Sequence, residues 1–178
     1  SNGSNLGGPY EGFHLSWSQY AYQGGNSTNE TGIGFFYNAE RQAIGGGVDI
    51  CNAWTDIGNR ALLLGYGGSA RGTRSISVGY NNNVNVFSSQ AFGSLNKLNA
   101  SSSIAMGSNN IVSGSGSFTM GIANETKGTR SIVIGRSNIS ETYLETVIGA
   151  YNIASNGNPI IWVDTDPIFT IGNGQSQN

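Results

Sequence analysis

The chain has 178 residues, of which only 10% are charged, and its formal net charge is −2. This balance argues against nucleic acid as a partner, because phosphate-binding surfaces are normally basic. Glycine is abundant, at 28 residues, but it follows no Gly-X-Y period, which excludes collagen, and no apolar run is long enough to span a membrane.

Residues 1 to 47 are rich in aromatic side chains and follow no repeat. The run from Phe13 to Trp17 alternates in polarity, which predicts a strand. One interpretation is a cap for the repeats that follow, because the end of a stack of strands exposes unpaired backbone. The other is a receptor-binding tip, because exposed aromatic rings stack on sugars and anchor interfaces. The candidate binding residues of this tip are Tyr10, Trp17, Tyr20 and Tyr22.

From about residue 48 to residue 156 the sequence repeats with a period of fourteen residues. The repeat is marked by seven glycines, Gly65, Gly79, Gly93, Gly107, Gly121, Gly135 and Gly149, and Cys51 stands one interval before the first. Three residues after most of them comes an asparagine: Asn82, Asn96, Asn110, Asn124, Asn138 and Asn152. Cys51 is the single cysteine, which excludes an intramolecular disulfide, and we expect it to be a small buried residue.

The local pattern Ser-apolar-x-apolar-Gly predicts a short strand, because successive side chains in a strand point to opposite faces. Glycine and asparagine then suit a turn, and a second, shorter strand is predicted in mid-repeat, as at residues 111–113. Such a unit cannot bury a core alone. About eight units are therefore expected to stack as a parallel β-solenoid, with the asparagines forming a hydrogen-bonded ladder along one corner.

Apolar side chains occur on both faces of these strands, because alternate positions of both sets are apolar. The positions one and three residues before each glycine hold large side chains, such as Met106 and Ile104, and are expected to form the core. The position between them is also partly apolar, as at Leu63 and Val133, which suggests a second buried face between identical rolls. A single roll with so thin a core should be marginally stable, so we expect an obligate homo-oligomer.

The units SISVG, SIAMG and SIVIG, each followed by asparagine three residues later, resemble the head repeats of trimeric autotransporter adhesins. The same repeat occurs in phage tail fibres and in related secreted fibre proteins. The resemblance covers about residues 48 to 156 and implies a left-handed parallel β-roll packed as a homotrimer. No heptads of a coiled-coil stalk are present, so a membrane-anchored adhesin of the usual kind is not supported.

Residues 157 to 178 are predicted to form a C-terminal cap or neck. The run from Trp162 to Gly174 resembles the segment that follows such repeats in fibre proteins with a self-cleaving C-terminal chaperone. By that resemblance, Trp162 and Phe169 are expected near the trimer axis. The final residues, from Gly172 onward, read as a flexible end.

Basic residues recur in two of the columns. Arg71 and Lys127 share one column, and Arg74 and Arg130 share another, with four coils between the members of each pair. In a stack of coils these side chains would form belts near the corners, either as ordinary solvated charge or as contacts for an acidic polysaccharide. Arg71, Arg74 and Arg130 are therefore candidate ligand-binding residues.

No pattern of catalytic or metal-binding residues stands out. The one histidine, His14, has no nucleophile motif beside it, and Asp164 and Asp166 suit a surface turn better than a catalytic pair. We expect no enzyme activity, no cofactor and no metal site.

The sequence predicts a non-enzymatic attachment module of an extracellular fibre, either a phage (virion) tail fibre or a secreted, cell-surface adhesin. Its expected partners are sister chains of a homotrimer and a cell-surface glycan or protein receptor. The alternative is a structural spacer, or a subunit that stacks head to tail with neighbouring fibre subunits.

Overall fold

The computed structural model describes residues 33–38, 41–48 and 56–176, and within them the chain is all-β with no helix. The longer strands are β1 (Ile33–Asn38), β2 (Ala43–Val48), β3 (Leu62–Tyr66), β4 (Ile76–Tyr80), β6 (Gln90–Ser94), β8 (Ile104–Ser108), β10 (Phe118–Ile122), β12 (Ile132–Arg136), β14 (Thr146–Ala150) and β15 (Phe169–Asn173). Between them lie two-residue strands: β5 (Asn83–Val84), β7 (Lys97–Leu98), β9 (Ile111–Val112), β11 (Glu125–Thr126) and β13 (Ile139–Ser140).

The strands form two sheets that the chain visits alternately. The ten longer strands make one sheet in the order β1-β2-β3-β4-β6-β8-β10-β12-β14-β15, and the short strands make a second in the order β13-β11-β9-β7-β5. Neighbours are parallel except for β1 and β2, which are antiparallel. Parallel coils stacked in this way are a β-solenoid. The predicted all-β solenoid with fourteen-residue turns is therefore confirmed.

The sheet register aligns the repeat glycines in one column, from Gly65 through Gly149. The column continues beyond the period at both ends, because Gly47 pairs with Gly65 and Gly172 pairs with Gly149. Gly47, eighteen residues before Gly65, takes the place that the period assigned to Cys51, so that assignment was wrong. Cys51 itself lies outside the described residues.

The C-terminal end also differs from the expectation. The residues from Gly172 onward were expected to form a flexible end, but Gly172 and Asn173 belong to strand β15. This strand follows an excursion of the chain after Gly149 and pairs in parallel with β14. The sheet thus extends into the segment predicted as a C-terminal cap or neck.

The glycine column is required by close approach of successive backbones. At Gly107 φ is +110°, and a Cβ atom added there would lie 2.1 Å from the carbonyl oxygen of Gly121 on the next coil. A real side chain cannot occupy that space without moving the backbone. Glycine at this position therefore sets the spacing between coils.

Each coil turns at two corners. From Gly67 to Tyr151, every seventh residue has a φ between +49° and +69°. At the corner that follows each glycine, positive φ occurs not at the asparagine of the repeat but at the residue before it, for example at Asn81 before Asn82. Few of these residues are glycine, and Leu95 and Arg130 are among them. Since positive φ is uncommon for such side chains, the stacking of coils must impose it.

The asparagine column forms the predicted ladder and lies inside the roll. Asn110 is representative: its Oδ1 accepts hydrogen bonds from the backbone N–H and the Nδ2 of Asn124, each at 3.1 Å. Its own Nδ2 donates to the carbonyls of Met106, at 3.2 Å, and Gly121, at 3.0 Å. The six asparagines are nearly completely buried, and this ladder satisfies backbone groups that the corner would otherwise leave unpaired.

A serine column does the same at the opposite corner. Ser103 Oγ donates to the carbonyl of Gly114 at 3.0 Å and accepts from the backbone N–H of Ser117 at 3.3 Å. Ser89, Ser117 and Ser131 repeat these contacts one coil at a time. Polar side chains therefore form a large part of the interior.

The core is formed by the opposite face of the strands from the one that the sequence predicted. The position two residues before each glycine points inward and is buried, as at Leu63, Ala105 and Val133. The large side chains on either side of it point outward, so that Met106 and Met120 remain 38% and 39% exposed. The physical reason is the narrow width of the roll: the two strands of a short coil leave room for a larger inward side chain only where a small one faces it.

Inward residues seven positions apart share this narrow interior, and their sizes compensate. Small or medium residues face larger ones in the pairs Leu63 and Ala70, Ser77 and Val84, Ala91 and Leu98, and Ala105 and Val112. One coil instead holds Thr119 and Thr126, whose hydroxyls share a hydrogen bond of 2.6 Å. The interior is therefore filled coil by coil, not by one continuous large core.

The asparagine ladder gives a direct test of interior polarity. Asn110→Ala leaves the N–H of Asn124 and two carbonyls without their partners. We therefore expect the free energy of unfolding to fall by about 2–4 kcal/mol. Asn99→Ala, at an exposed position of a neighbouring coil, should change stability by less than about 0.5 kcal/mol. Urea unfolding at one protein concentration measures both, and equal effects would contradict the ladder's role.

A second test uses the only two buried side-chain atoms that lack a partner within the described residues, one of which is Ser140 Oγ. Ser140→Val places a Val84-like side chain in the same column, so we expect stability to rise by about 1 kcal/mol. Thr126→Val, the matched change one coil away, removes the bond to Thr119 and should lower stability by about 1–2 kcal/mol. Thermal unfolding of the two variants should shift in opposite directions.

Candidate functional site

The outer face of the ten-stranded sheet carries two columns of mostly large apolar side chains, which we call the outer apolar face. It consists of Leu62, Ile76, Gln90, Ile104, Phe118, Ile132 and Thr146 in one column, and Leu64, Val78, Phe92, Met106, Met120, Ile134 and Ile148 in the other. Eleven of these fourteen side chains are partly exposed, and Met106, Met120 and Ile132 are 38–40% exposed. Contiguous apolar surface of this kind marks an interaction site.

The outer apolar face continues onto the last strand. Phe169 pairs with Thr146, and Ile171 pairs with Ile148, so the two columns gain one further rung. Both side chains are more than half exposed. The adjoining C-terminal loops add further exposed side chains: Ile153, Ile160, Ile161, Trp162 and Ile168. The C-terminal end is therefore the most apolar part of the described surface.

Two of the predicted basic residues are neutralised by carboxylates. Arg71 donates through Nε to Asp56 Oδ1 at 2.9 Å. Lys127 donates to Glu141 Oε1 at 2.8 Å, and Glu125 lies 3.8 Å away. The Glu141 contact raises the pKa of Lys127 and lowers the pKa of Glu141. Of the predicted ligand-binding residues, Arg71 is thus committed to an ion pair.

Arg74 and Arg130 have aromatic partners instead. The guanidinium of Arg74 lies 5.4 Å from the ring centre of Phe87 on the next coil. That of Arg130 lies 5.8 Å from the ring centre of Tyr143, and its Nη1 donates to the tyrosine hydroxyl at 2.7 Å. Within the described residues neither arginine forms an ion pair. The rings hold both cations in place while leaving their charge available.

The aromatic candidates Tyr10, Trp17, Tyr20 and Tyr22, and also His14, lie outside the described residues. Asp164 and Asp166 have structural partners. Asp164 Oδ1 accepts from Trp162 Nε1 at 2.8 Å, and Asp166 Oδ2 accepts from the backbone N–H of Asn158 at 2.8 Å. In the described part of the chain, no three His, Cys, Asp or Glu side chains come together to suit a metal ion.

Glu145 is a buried carboxylate that the sequence analysis did not single out. It takes the place of serine in the last turn of the serine column and is 1% exposed. Its Oε2 accepts from the backbone N–H groups of Glu141 and Thr142, and its Oε1 accepts from the Thr170 hydroxyl at 2.9 Å. Glu145 thus fastens β15 to the final coil. The break in the serine column was the signal that could have revealed it.

The open end of the roll is partly closed by side chains and loops. The side chain of Asn152 makes hydrogen bonds of the kind that a further strand would make. Its Oδ1 accepts from the backbone N–H of Ile139 at 2.7 Å, and its Nδ2 donates to the carbonyl of Ile139 at 2.8 Å. Beside it, an open concavity of about 870 Å³ lies between residues 151–154 and β15, lined largely by backbone and by Tyr151, Ile153 and Ile171. Its lining includes no Asp, Glu, His or Lys side chain.

Comparison with models of protein families, with curated proteins and with solved structures finds no match to this chain. Across the described ranges, no helix has the length and apolar character needed to cross a membrane.

The contact between Lys127 and Glu141 makes the C-terminal loop sensitive to pH. Glu141 Oε2 accepts from the backbone N–H of Asn156 at 3.0 Å, and the pKa of Glu141 lies below its ordinary value of 4.5. The contact is therefore complete above pH 4.5 and is lost as the pH falls through the lowered pKa. At the alkaline end it persists to pH 10.5 and is lost above the raised pKa of Lys127.

We expect the amide resonance of Asn156 to follow an acidic titration with a midpoint below 4.5, as NMR would measure. Glu141→Gln keeps an acceptor for the Asn156 N–H but removes the charge, so this titration should disappear in the variant. A midpoint above 4.5 in the unaltered chain would contradict the contact.

Proposed function

We propose that the chain is a non-enzymatic attachment module of an extracellular fibre, a homotrimer of left-handed β-rolls that binds cell-surface glycans. The observation that carries this proposal is the outer apolar face, which spans eight of the ten strands of the sheet, from β3 to β15. The resemblance of the repeats to adhesin heads and tail fibres supports three copies and the left-handed coil.

The composition and extent of the outer apolar face support the proposed association of sister chains. Met106, Met120 and Ile132 are 38–40% exposed, Phe169 and Ile171 are more than half exposed, and the other members of the two columns are partly exposed. Burial of the exposed part of each side chain would contribute about 1 kcal/mol, and the contribution recurs along the column. The narrow interior, filled by alanine, serine and valine, leaves this face as the largest remaining source of apolar burial. Sister chains with the same face are its natural partners.

The shape of the roll supports the proposed attachment. Each coil presents the same corner one rung further along, so that binding groups repeat at the spacing of strands, about 4.8 Å. A trimer would carry three copies of each binding surface, and weak contacts with a cell surface would add through multivalency. Arg74 and Arg130, held on aromatic rings at one corner, are the described groups best placed for such contacts.

The alternative is a spacer or a head-to-tail filament subunit. One observation favours it: β15 is the last strand of the sheet in the described residues, and its outer edge faces no further strand. An edge strand can pair with a strand of a neighbouring molecule. Against continuous stacking, Asn152 and the loop at residues 158–159 already bond the corners and the short-strand edge of the final coil.

The oligomer is tested by placing charge on the outer apolar face. The double variant Met106→Glu with Met120→Glu would bury carboxylates at the interface, so we expect sedimentation to shift from three chains toward one. Ile111→Glu is the matched control, because Ile111 is also 38% exposed but lies on the short-strand sheet. A wild-type chain that sediments as a monomer, or a control that dissociates equally, would overturn the trimer.

Attachment itself is tested with the labelled wild-type protein on intact cells before and after enzymatic removal of surface glycans. The proposal expects binding that falls strongly after the treatment. Molecules that elongate into filaments at rising concentration, without any binding to cells, would favour the structural alternative.

A further inference from the structure

One corner of the roll differs from the rest of the surface in its side chains, and we call it the corner strip. It consists of the two residues that stand six and five positions before each repeat glycine, over six coils. These are residues 73–74, 87–88, 101–102, 115–116, 129–130 and 143–144. The strip contains two arginines, six serine or threonine residues and two aromatic rings, but no acidic residue.

The two arginines lie four rungs apart, roughly 19 Å at the spacing of parallel strands. Each belongs to an Arg–aromatic pair: Arg74 with Phe87, and Arg130 with Tyr143. A guanidinium has five N–H donors in a planar fork, and one donor of Arg130 is used by the Tyr143 hydroxyl. The remaining donors suit a carboxylate or a sulfate, which accept paired hydrogen bonds.

The surface between the two pairs is low and hydroxylated. It is formed by Ser88, Ser101, Ser102, Ser115 and Gly116, all partly or fully exposed. Backbone groups here are already bonded from coil to coil, as in Ser102 N–H to Phe87 and Gly116 N–H to Ser101, at 2.9 and 3.0 Å. None of the four serine hydroxyls has a hydrogen bond within the described residues. They form a rigid row of free polar groups.

Within the described residues no acidic side chain forms an ion pair with either arginine of the strip. Asp56 is bonded to Arg71, and Glu141 is bonded to Lys127. Glu145 lies beneath the strip but is buried and turned toward Thr170. The corner strip therefore combines fixed positive charge at two points with hydroxyls between them.

We propose that the corner strip binds an anionic oligosaccharide that lies along the corner, parallel to the stack of coils. This proposal rests on the proposed glycan attachment and names the ligand's chemistry. One carboxylate or sulfate of the sugar chain pairs with Arg74 and another with Arg130. The serines between them bond sugar hydroxyls. Nucleic acid is disfavoured, because the strip and its continuation at Arg60 carry only three cations and the chain as a whole is negative.

The test measures binding of three probes at physiological ionic strength: a heparin octasaccharide, an oligogalacturonate of similar length and a neutral cello-oligosaccharide. The first two separate sulfate from carboxylate as the preferred group. We expect at least one to bind, the neutral chain to bind more weakly, and Arg74→Gln or Arg130→Gln to reduce affinity by about tenfold each.

Two sets of controls keep the test independent of folding and of net charge. Arg136→Gln removes an arginine that also lies on an aromatic ring, Tyr151, but at the other corner, so it should leave affinity unchanged. Ser102→Asp should abolish binding, whereas the nearly isosteric Ser102→Asn should retain it, because both side chains tolerate the positive φ of this position. Asn109→Asp adds the same charge at the other corner and should have little effect.

The outcomes distinguish failure of the corner-strip proposal from failure of the proposed glycan attachment. If the wild-type protein attaches to cells and the Arg74→Gln and Arg130→Gln variants attach equally well, the corner strip is not the site, and glycan attachment still stands. If Arg136→Gln weakens oligosaccharide binding as much as Arg74→Gln, or if duplex DNA binds as tightly as the oligosaccharides, the inference is wrong. If the wild-type protein binds neither cells nor any probe, both proposals fail.

Discussion

Successive coils of this chain stack backbone on backbone in strict register, and the other features of the roll depend on that stacking. A parallel neighbour sits one strand spacing away, so each buried polar group finds its partner in the equivalent residue of the next coil. Asn110 bonds Asn96 and Asn124, and Ser103 bonds Ser89 and Ser117, by the same geometry. Glycine is needed where the backbones approach most closely, as Gly107 does Gly121.

The same stacking explains how a chain can be stable with little apolar interior. A coil of fourteen residues with two strands encloses only a narrow space, which one inward side chain from each strand fills. Polar residues can occupy this space because the ladders satisfy them, as the paired hydroxyls of Thr119 and Thr126 do within one coil. The larger apolar side chains are left outside, where they form the outer apolar face. A surface available for association thus follows from the geometry of the fold.

The two corners of each coil differ in what they offer a partner. At both corners a residue with positive φ projects its side chain outward from a backbone that is already hydrogen-bonded. Side-chain identity alone therefore decides the surface chemistry. On the corner strip this gives two arginines fixed on aromatic rings with serines between them. The other corner has no basic residue in the equivalent positions, which hold Asn81, Leu95, Asn109, Ala123, Ser137 and Tyr151. A repeat fold of this kind can change its surface without disturbing its interior.

The sequence by itself determined the period, the strands, the glycine column and the asparagine ladder, because each of these depends on contacts between equivalent residues of neighbouring coils. Only the tertiary structure decided which face of each strand lies inside the roll. Both faces carry apolar side chains, and the choice between them depends on the width of the roll. It also decided that Gly47 continues the column and that β15 returns to the sheet after a long excursion. Both Gly47 and β15 depart from the fourteen-residue spacing, so the repeat could not predict their pairings. For the same reason, only the structure distinguished Arg71, which is held by Asp56, from Arg74 and Arg130, whose aromatic partners leave their charges available.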